Sequence, residues 1–403
     1  MRDPRTGRRF SARSTLAGEA YALAVDRILG SESGVLEALE ESIAQDPRFC
    51  MALAARYMLA KEQDEQDAAD YRLRALAALE DSEEWERAHI GALFLFLDDP
   101  SKNLVATEHY VSIFGYDLVV ISQLCDYLIF HGGASKLERV QRILEAADSR
   151  LKTDWAYLAR LGFAVSEAGD SARGLAIVER ALEQRTSSLY VMHSYAHVLY
   201  QEHLPERSSE LLLQWLERYR VRAQDGALLS HIYWHLALSQ LELGDSRAAW
   251  RYYREYAAPE VSSCDRVLKL ADAGGFLLRA FLSEGPRVEV SKAERALCDQ
   301  YESLIAHPFI ALHVSVILLV AGDRVALVAL RSKLEQLGAA SGRVSKAIVD
   351  ALLAFLEGDY QRCCSLTKAL SSSDRISIGG NYIERVLLDL LEERAELLIG
   401  YSV

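Results

Sequence analysis

The sequence lacks several features that mark common classes of protein. It has only seven prolines in 403 residues, no run of about eighteen apolar residues, and no apolar N-terminal segment of the signal-peptide type. These absences argue against a secreted protein and against a protein that spans a membrane. We therefore expect a cytoplasmic chain that makes no use of a lipid partner.

Cysteine is scarce and is never arranged as a C-x-x-C pair. The six cysteines are Cys50, Cys125, Cys264, Cys298, Cys363 and Cys364. Such a scatter is typical of structural thiols in a reducing compartment, and it argues against a disulfide framework or a zinc ribbon.

Positive charge is also in short supply. The formal net charge is −13, and binding to nucleic acid phosphates requires basic patches, so we expect no nucleic-acid partner. The exception is residues 1–15, which contain five arginines. We interpret this segment as a basic, solvated N-terminal tail, and a partner-docking arm is the alternative.

The chain has instead a regular helical pattern. Apolar residues recur at intervals of three and four, and no segment alternates as a strand does. Turn signals follow about 35 to 41 residues apart; they are Gly132-Gly133, Gly169-Asp170, Glu202–Pro205, Gly244-Asp245, Gly285-Pro286, Gly322-Asp323 and Gly358-Asp359. Glycine ends one helix and the following Asp can cap the next.

This pattern predicts an all-α fold built from tetratricopeptide-like helix–turn–helix repeats that form a right-handed superhelical solenoid. We expect residues 16–403 to form a single repeat domain, with the most regular repeats in residues 134–370. Tyr233, Leu236 and Ala237 precede a turn glycine at the distances typical of such repeats.

Two histidine pairs with the same spacing are the main candidate site. His193 and His197 are four residues apart, as are His231 and His235, so each pair shares one helix face. The pairs are 38 residues apart, about one repeat, so stacked helices would bring four imidazoles together. Both pairs also lie at matching distances from the following turn, if Glu206 replaces the missing glycine there.

The distance to the next turn glycine adds two candidates. Asp272 lies 13 residues before its turn glycine, as His231 does, and His313 lies nine before its own, as His235 does. These positions avoid the packing positions of the first helix of each repeat. We therefore expect their side chains on the concave face.

Imidazole and carboxylate are the usual ligands of zinc, iron, copper and nickel. We therefore predict a site for a divalent metal or a small ligand; its residues are His193, His197, His231, His235, Asp272 and His313. Open coordination positions would allow a non-heme metal enzyme, although no reaction is assigned. Because Ser194 and Ile232 stand where a zinc protease has glutamate, a metalloprotease is unsupported. Without a metal, the same groups can bind an anionic ligand or transfer protons.

Three further side chains are accessory candidates. Tyr195 and Trp234 can border the pocket, although most aromatic residues here are suited to packing between helices. His89 lies near the start of a helix, and a structural hydrogen-bonding role competes with a role as a ligand.

The two histidine elements resemble the tetratricopeptide repeat protein 38 family. Met192–Val198 matches the family's V-H-x-x-A-H element, and Ser230–Asp245 matches H-N-Y-W-H-x-A-L with its following G-[DE]. Looser matches are Ser14–Ala20, Leu270–Asp272, the element ending at His313, and Ile378–Arg385. The chain departs from the family's pattern at Ile232, Glu384 and Val386.

The resemblance implies an all-helical repeat fold and no particular reaction. Carried over to this sequence, it singles out His89, His193, His197, His231, His235, Asp272, His313 and Arg385.

Two functions thus remain in competition. The first is a protein with a His- and Asp-lined inner pocket for a metal or small molecule. The second is a tetratricopeptide-type scaffold that grips a peptide or partner protein on its concave face. Because the inner positions carry His, Asp and aromatic residues rather than Asn, Lys and Arg, we favour the first.

Overall fold

The computed structural model describes residues 1–131, 133–147, 149–220, 226–337 and 339–400, the residues 339–341 by their backbone alone. In this part of the chain 77% of residues are helical and there is no strand. An isolated bridge between Arg2 and Arg9 is the β-type pairing found there. The all-α prediction is confirmed for these residues.

The α-helices are α1 (Thr15–Gly30), α2 (Val35–Gln45), α3 (Cys50–Glu62), α4 (Ala68–Ala77), α5 (Glu84–Asp98), α6 (Pro100–Ile113), α7 (Leu118–His131), α8 (Lys136–Glu145), α9 (Trp155–Glu167), α10 (Ser171–Gln184), α11 (Leu189–Gln201), α12 (Pro205–Tyr219), α13 (Leu229–Glu242), α14 (Ser246–Tyr252), α15 (Arg266–Glu284), α16 (Lys292–Tyr301), α17 (Pro308–Val320), α18 (Arg324–Gln336), α19 (Ala339–Leu356), α20 (Tyr360–Lys368), α21 (Ser372–Ser377), α22 (Tyr382–Arg385) and α23 (Leu387–Gly400). Short 3₁₀ turns cover Leu79–Asp81, Gly133–Ser135, Ser149–Thr153 and Glu302–Leu304, and a π-helical turn covers Tyr253–Ala257. None of the described helices has both the length and the apolar character needed to cross a bilayer.

The helices pack in sequence. From α9 to α19, each odd-numbered helix packs against the next odd-numbered one, and the even-numbered helices pack against their neighbours in the chain. Helix α13 therefore lies between α11 and α15. This order decides which side chains can meet.

Four of the turns share one construction. A glycine with positive φ ends the first helix, and the next residue is an Asp whose carboxylate accepts a hydrogen bond from a backbone N–H three residues further on. They are Gly169-Asp170, Gly244-Asp245, Gly322-Asp323 and Gly358-Asp359. The predicted turns and caps are confirmed here.

The turn at Glu202–Pro205, which has no glycine, shows that one predicted repeat position is wrong. His203 has a φ of 55° and donates its backbone N–H to Tyr200 O, the same pattern that Gly244 makes with Leu241 O. His203 thus stands where the other turns have glycine, and Glu206 does not. His193 and His197 lie ten and six residues before it, so their proposed equivalence with the second pair is wrong by three residues.

The N-terminal segment also differs from expectation, because residues 1–15 do not form a solvated tail. Phe10 is 3% exposed and its ring packs edge-on against Tyr21 at 5.4 Å. Arg5 pairs with Asp154 at 3.0 Å, 149 residues away. One apolar anchor and a partly buried ion pair hold the basic segment on the protein.

Contacts between distant parts of the chain enclose the middle of the molecule. Phe130 of α7 packs edge-on against Phe309 of α17, with ring centroids 5.4 Å apart. Lys136 is fully buried, and its ammonium donates to the backbone carbonyls of Ile129 and Gly380, both at 2.7 Å. The C-terminal helices are thereby fixed against the first half of the chain.

Candidate metal centre

The four paired histidines converge as predicted. Within α11 the ring centroids of His193 and His197 are 4.5 Å apart, and within α13 those of His231 and His235 are 4.6 Å apart. Across the two helices, His197 and His235 are also 4.5 Å apart, and His193 and His231 are 5.1 Å apart. One ring nitrogen from each residue lies within 4.8 Å of the other three, so a single ion can be shared among them.

Most of these rings are buried, and several of their nitrogens lack a hydrogen-bond partner among the described residues. His197 and His231 are each 1% exposed and His235 is 3% exposed, whereas His193 is half-buried. His193 Nδ1, His235 Nε2 and both nitrogens of His197 have no hydrogen-bond partner among the described residues. Each buried polar atom left without a partner costs about 1–3 kcal/mol. Four such atoms in one cluster are compatible with a site for a metal ion.

His231 is held in place from behind. Its Nδ1 lies 2.8 Å from Asp272 Oδ1, and both residues are 1% exposed. Trp234 stacks on the His231 ring at 4.9 Å and donates its indole N–H to the backbone carbonyl of Asp272 at 2.7 Å. With Nδ1–H donated to the carboxylate, Nε2 keeps its lone pair. A carboxylate behind a histidine is a common support for a metal ligand.

The surroundings give the rings different pKa values. Burial lowers the pKa of His193, His197 and His235 well below the usual range, and repulsion from neighbouring imidazoles lowers each further. Burial also acts on His231, but the Asp272 carboxylate outweighs it and raises the pKa of His231. The pKa of Asp272 is raised by burial, which His231 offsets only in part. Three rings are therefore neutral at pH 7, and neutral imidazole is the form that ligates metals.

His313, another predicted ligand, lies outside the group of four. Its ring packs against Gly274 of α15, whose added Cβ would lie 3.2 Å from His313 Cδ2. His313 Nδ1 donates to Phe309 O at 2.8 Å, one turn back in its own helix. Burial is the largest cause that lowers the pKa of His313, to about 4.

The remaining candidates lie elsewhere, apart from Trp234. His89 is buried with its Nδ1 2.7 Å from Asp117 Oδ2, a structural pair. Tyr195 donates its hydroxyl to Glu179 Oε1 at 3.0 Å, away from the imidazoles. Arg385 was suggested by the family resemblance. It donates to the carbonyl of Gly380 at 2.6 Å and to Glu167 Oε2 at 3.1 Å, which fixes α22 against α9.

A chamber of about 610 Å³ adjoins the histidines. Side chains from α7, α9, α11, α13, α15 and α17 line it, including His193 and His231. Cavities of 300–1,000 Å³ are typical of small-molecule sites. Two of the four imidazoles, those of His193 and His231, therefore form part of the wall of a cavity large enough for a ligand.

Sequence analysis missed several polar residues of this wall, among them Asp126, His131 and His307. Asp126 and His131 belong to α7, where the repeat pattern is blurred, and His307 comes directly before α17. His131 and His307 make an edge-on ring contact at 5.4 Å. No spacing rule marks them, because their meeting depends on α7 approaching α17 across nearly half the chain.

No protein-family model matches the sequence. The geometry of the site is therefore the basis for its interpretation. Four imidazoles, mostly neutral, lie beside a chamber, and several of their nitrogens are unpaired among the described residues. Such a donor set suits zinc, copper, iron or nickel.

Proposed function

We propose that this protein binds one divalent metal ion through His193, His197, His231 and His235, and a small molecule in the chamber beside it. The ion is zinc, iron, copper or nickel. The observation that carries the proposal is the set of four buried ring nitrogens that have no partner in the described part of the chain, gathered where four imidazoles meet. A tetrahedral zinc ion with bonds of about 2.1 Å sets its nitrogens about 3.4 Å apart. Binding would thus draw the four rings closer together.

Ordinary core histidines provide the comparison. His89 is also buried, but its Nδ1 is paired with Asp117. A buried imidazole that serves the fold has at least one such partner, and His313 has one at Nδ1 although its Nε2 has none. Among the described residues the four clustered rings share one side-chain partner, Asp272, and His197 has none at either nitrogen, which argues for a bound ion rather than for packing.

The chamber favours a small-molecule ligand over a peptide. A peptide-binding scaffold needs an open groove, whereas Phe130 and Phe309 close this space on one side. The bound metal would act as a Lewis acid on a molecule in the chamber, which is the route by which the protein would be an enzyme. The chain's own part is to hold the four rings, with Asp272 orienting His231.

We also propose that the helix pairs form a right-handed superhelical solenoid of the tetratricopeptide type, and that the chain belongs to the tetratricopeptide repeat protein 38 family. The sequential packing of α9, α11, α13, α15, α17 and α19 supports the first proposal. The histidine elements of α11 and α13 support the second. A role as an interaction scaffold for a partner protein remains the rival function of such folds.

Elemental analysis of the purified protein tests the metal site. We expect about one equivalent of a transition metal, which a chelator removes and added Co²⁺ replaces, with visible absorption bands that report nitrogen ligation. The double variant His231→Ala/His235→Ala should lose the metal. His313→Leu is the matched control, since it removes a buried histidine outside the group and should keep the metal. Wild-type protein that takes up no ion after removal of the chelator would disprove the proposal.

A further inference from the structure

The chamber wall has an unusual balance of charge. Asp126 and Asp265 line it, and among the described residues no lysine or arginine side chain does. Asp265 is already engaged, since its Oδ1 caps α15 by accepting from the N–H groups of Val267 and Leu268 at 2.8 and 2.9 Å. Asp126 is therefore the carboxylate left for a ligand.

Asp126 has no partner of its own. Its side chain is exposed to the open space of the chamber, and it makes no hydrogen bond or ion pair with any described residue. Arg160 does not reach it to form an ion pair, and instead donates to the carbonyls of Leu29 and Ala156, both at 3.2 Å. A carboxylate that faces a largely apolar cavity without a cationic partner suits a ligand that brings a cation.

The rest of the wall is largely apolar. Aromatic rings of Phe130, Phe163 and Phe309 face the cavity. Leu304 and Val267 also line it and remain 54% and 38% exposed, so large apolar side chains are left uncovered there. A ligand with an apolar body would cover them.

We propose that the chamber binds an organic amine, with its ammonium group on Asp126 and its aromatic or aliphatic body against the apolar wall. The inference rests on the proposed function in so far as that function places a small molecule in this chamber. It does not depend on the metal, because neither Asp126 nor the apolar wall belongs to the group of four histidines. Amines are chosen over carboxylic acids because the described residues of the wall offer a carboxylate and no lysine or arginine.

Calorimetric titration of the full-length, metal-free protein tests the inference. The probes are 4-phenylbutylamine, 4-phenylbutan-1-ol and 4-phenylbutyrate, which share a body and differ in charge. We expect the amine to bind at least tenfold more tightly than the alcohol, and the acid not to bind measurably. Asp126→Asn should reduce the affinity for the amine to that for the alcohol and leave the alcohol unchanged. Asp299→Asn, at an exposed carboxylate, is the matched control and should change nothing.

Several results would overturn the inference. Equal affinity for amine and alcohol in the wild type would do so without any variant, so misfolding of Asp126→Asn cannot rescue it. Amine binding that appears only after zinc is added, and that ignores Asp126→Asn, would mean that the amine ligates the metal instead. Failure of all three probes to bind at millimolar concentration would also refute it. Protein that takes up no metal in the metal-binding test but still prefers the amine would disprove the metal site alone.

Discussion

Replacing His197 by leucine should have opposite effects on the metal-free and the metal-bound protein. His197 is 1% exposed, and neither ring nitrogen has a partner among the described residues. Leucine has a similar volume and no polar atom. If the site exists to bind an ion, the imidazole is a burden to the fold whenever the ion is absent.

The expected gain in stability of the metal-free protein follows from the two unpaired nitrogens of His197. At about 1–3 kcal/mol for each unpaired buried polar atom, their removal favours folding by about 2–6 kcal/mol. Repacking around a leucine opposes this by up to about 1.5 kcal/mol. We therefore expect the metal-free variant to be more stable than the metal-free wild type by about 0.5–6 kcal/mol. For 403 residues the unfolding entropy is about 0.85 kcal/mol/K, so the melting temperature should rise by about 0.6–7 °C.

The metal-bound state should respond in the other direction. An ion at a hundred times its dissociation constant stabilises the wild type by about 2.7 kcal/mol. His197→Leu removes one of four ligands and should abolish most of this gain. Thermal unfolding with a chelator and with zinc would therefore show the variant above the wild type in the first condition and below it in the second.

His89→Leu is the matched control. That ring is equally buried, but its Nδ1 pairs with Asp117, so leucine leaves a buried carboxylate without its partner. The control should lower the melting temperature in both conditions, since breaking a buried pair costs about 3–5 kcal/mol. If His197→Leu also destabilises the metal-free protein, its nitrogens are satisfied and the reasoning is refuted.

Three further predictions follow from individual contacts. Asp272→Asn should weaken metal binding by about 10–100-fold, because the carboxylate orients His231; a metal titration with a chelating dye would measure it, and unchanged affinity would contradict the role. His313 has a pKa of about 4 in the folded chain and about 6.5 when unfolded, so the unfolded chain takes up its proton first and acid favours unfolding. Between pH 7 and 5 the protonation of His313 lowers the free energy of unfolding of the wild type by about 2 kcal/mol. In urea unfolding, His313→Leu should therefore lose about 2 kcal/mol less stability than the wild type over this range, and identical pH curves would show the pKa of His313 to be wrong. Gly162→Ala should destabilise by about 1–3 kcal/mol, because its Cβ would lie 2.5 Å from Val178 Cγ2. Gly91→Ala, with open space around its Cβ, should be neutral or stabilising.

Local rules predicted much of the fold. Glycine with positive φ and the following Asp cap, as at Gly169 and Asp170, depend on a few neighbouring residues and can be read from the sequence. Composition alone does not predict the place of the N-terminal segment. Five arginines suggested a solvated tail, but the buried ring of Phe10 fixes the segment to the protein. The wall residue Asp126 lay beyond such rules, because its place depends on packing between distant helices.

The four histidines lie together in the structure although the predicted repeat position of the first pair is wrong. His203 rather than Glu206 occupies the glycine position, which displaces His193 and His197 by three residues, nearly one helical turn. Two side chains four apart span about 6 Å along a helix, so a shift of about 4.5 Å still leaves the two pairs overlapping. Spacing within each pair was therefore the robust signal, and identical position in the repeat was not required.

The order of the helices explains why Asp272 reaches the histidines and His313 does not. Helices α11 and α15 both pack against α13, whereas α17 packs against the far side of α15. Because neighbouring helix axes lie about 8–10 Å apart, α17 is roughly 20 Å from α13. A carboxylate on α15 can reach His231, and the 2.8 Å contact shows that it does. An imidazole on α17 cannot cross α15, and His313 instead packs against Gly274 of that helix. A single metal ion in such a row contacts only neighbouring helices, so its ligands would come from α11 and α13, and Asp272 of α15 supports them from behind.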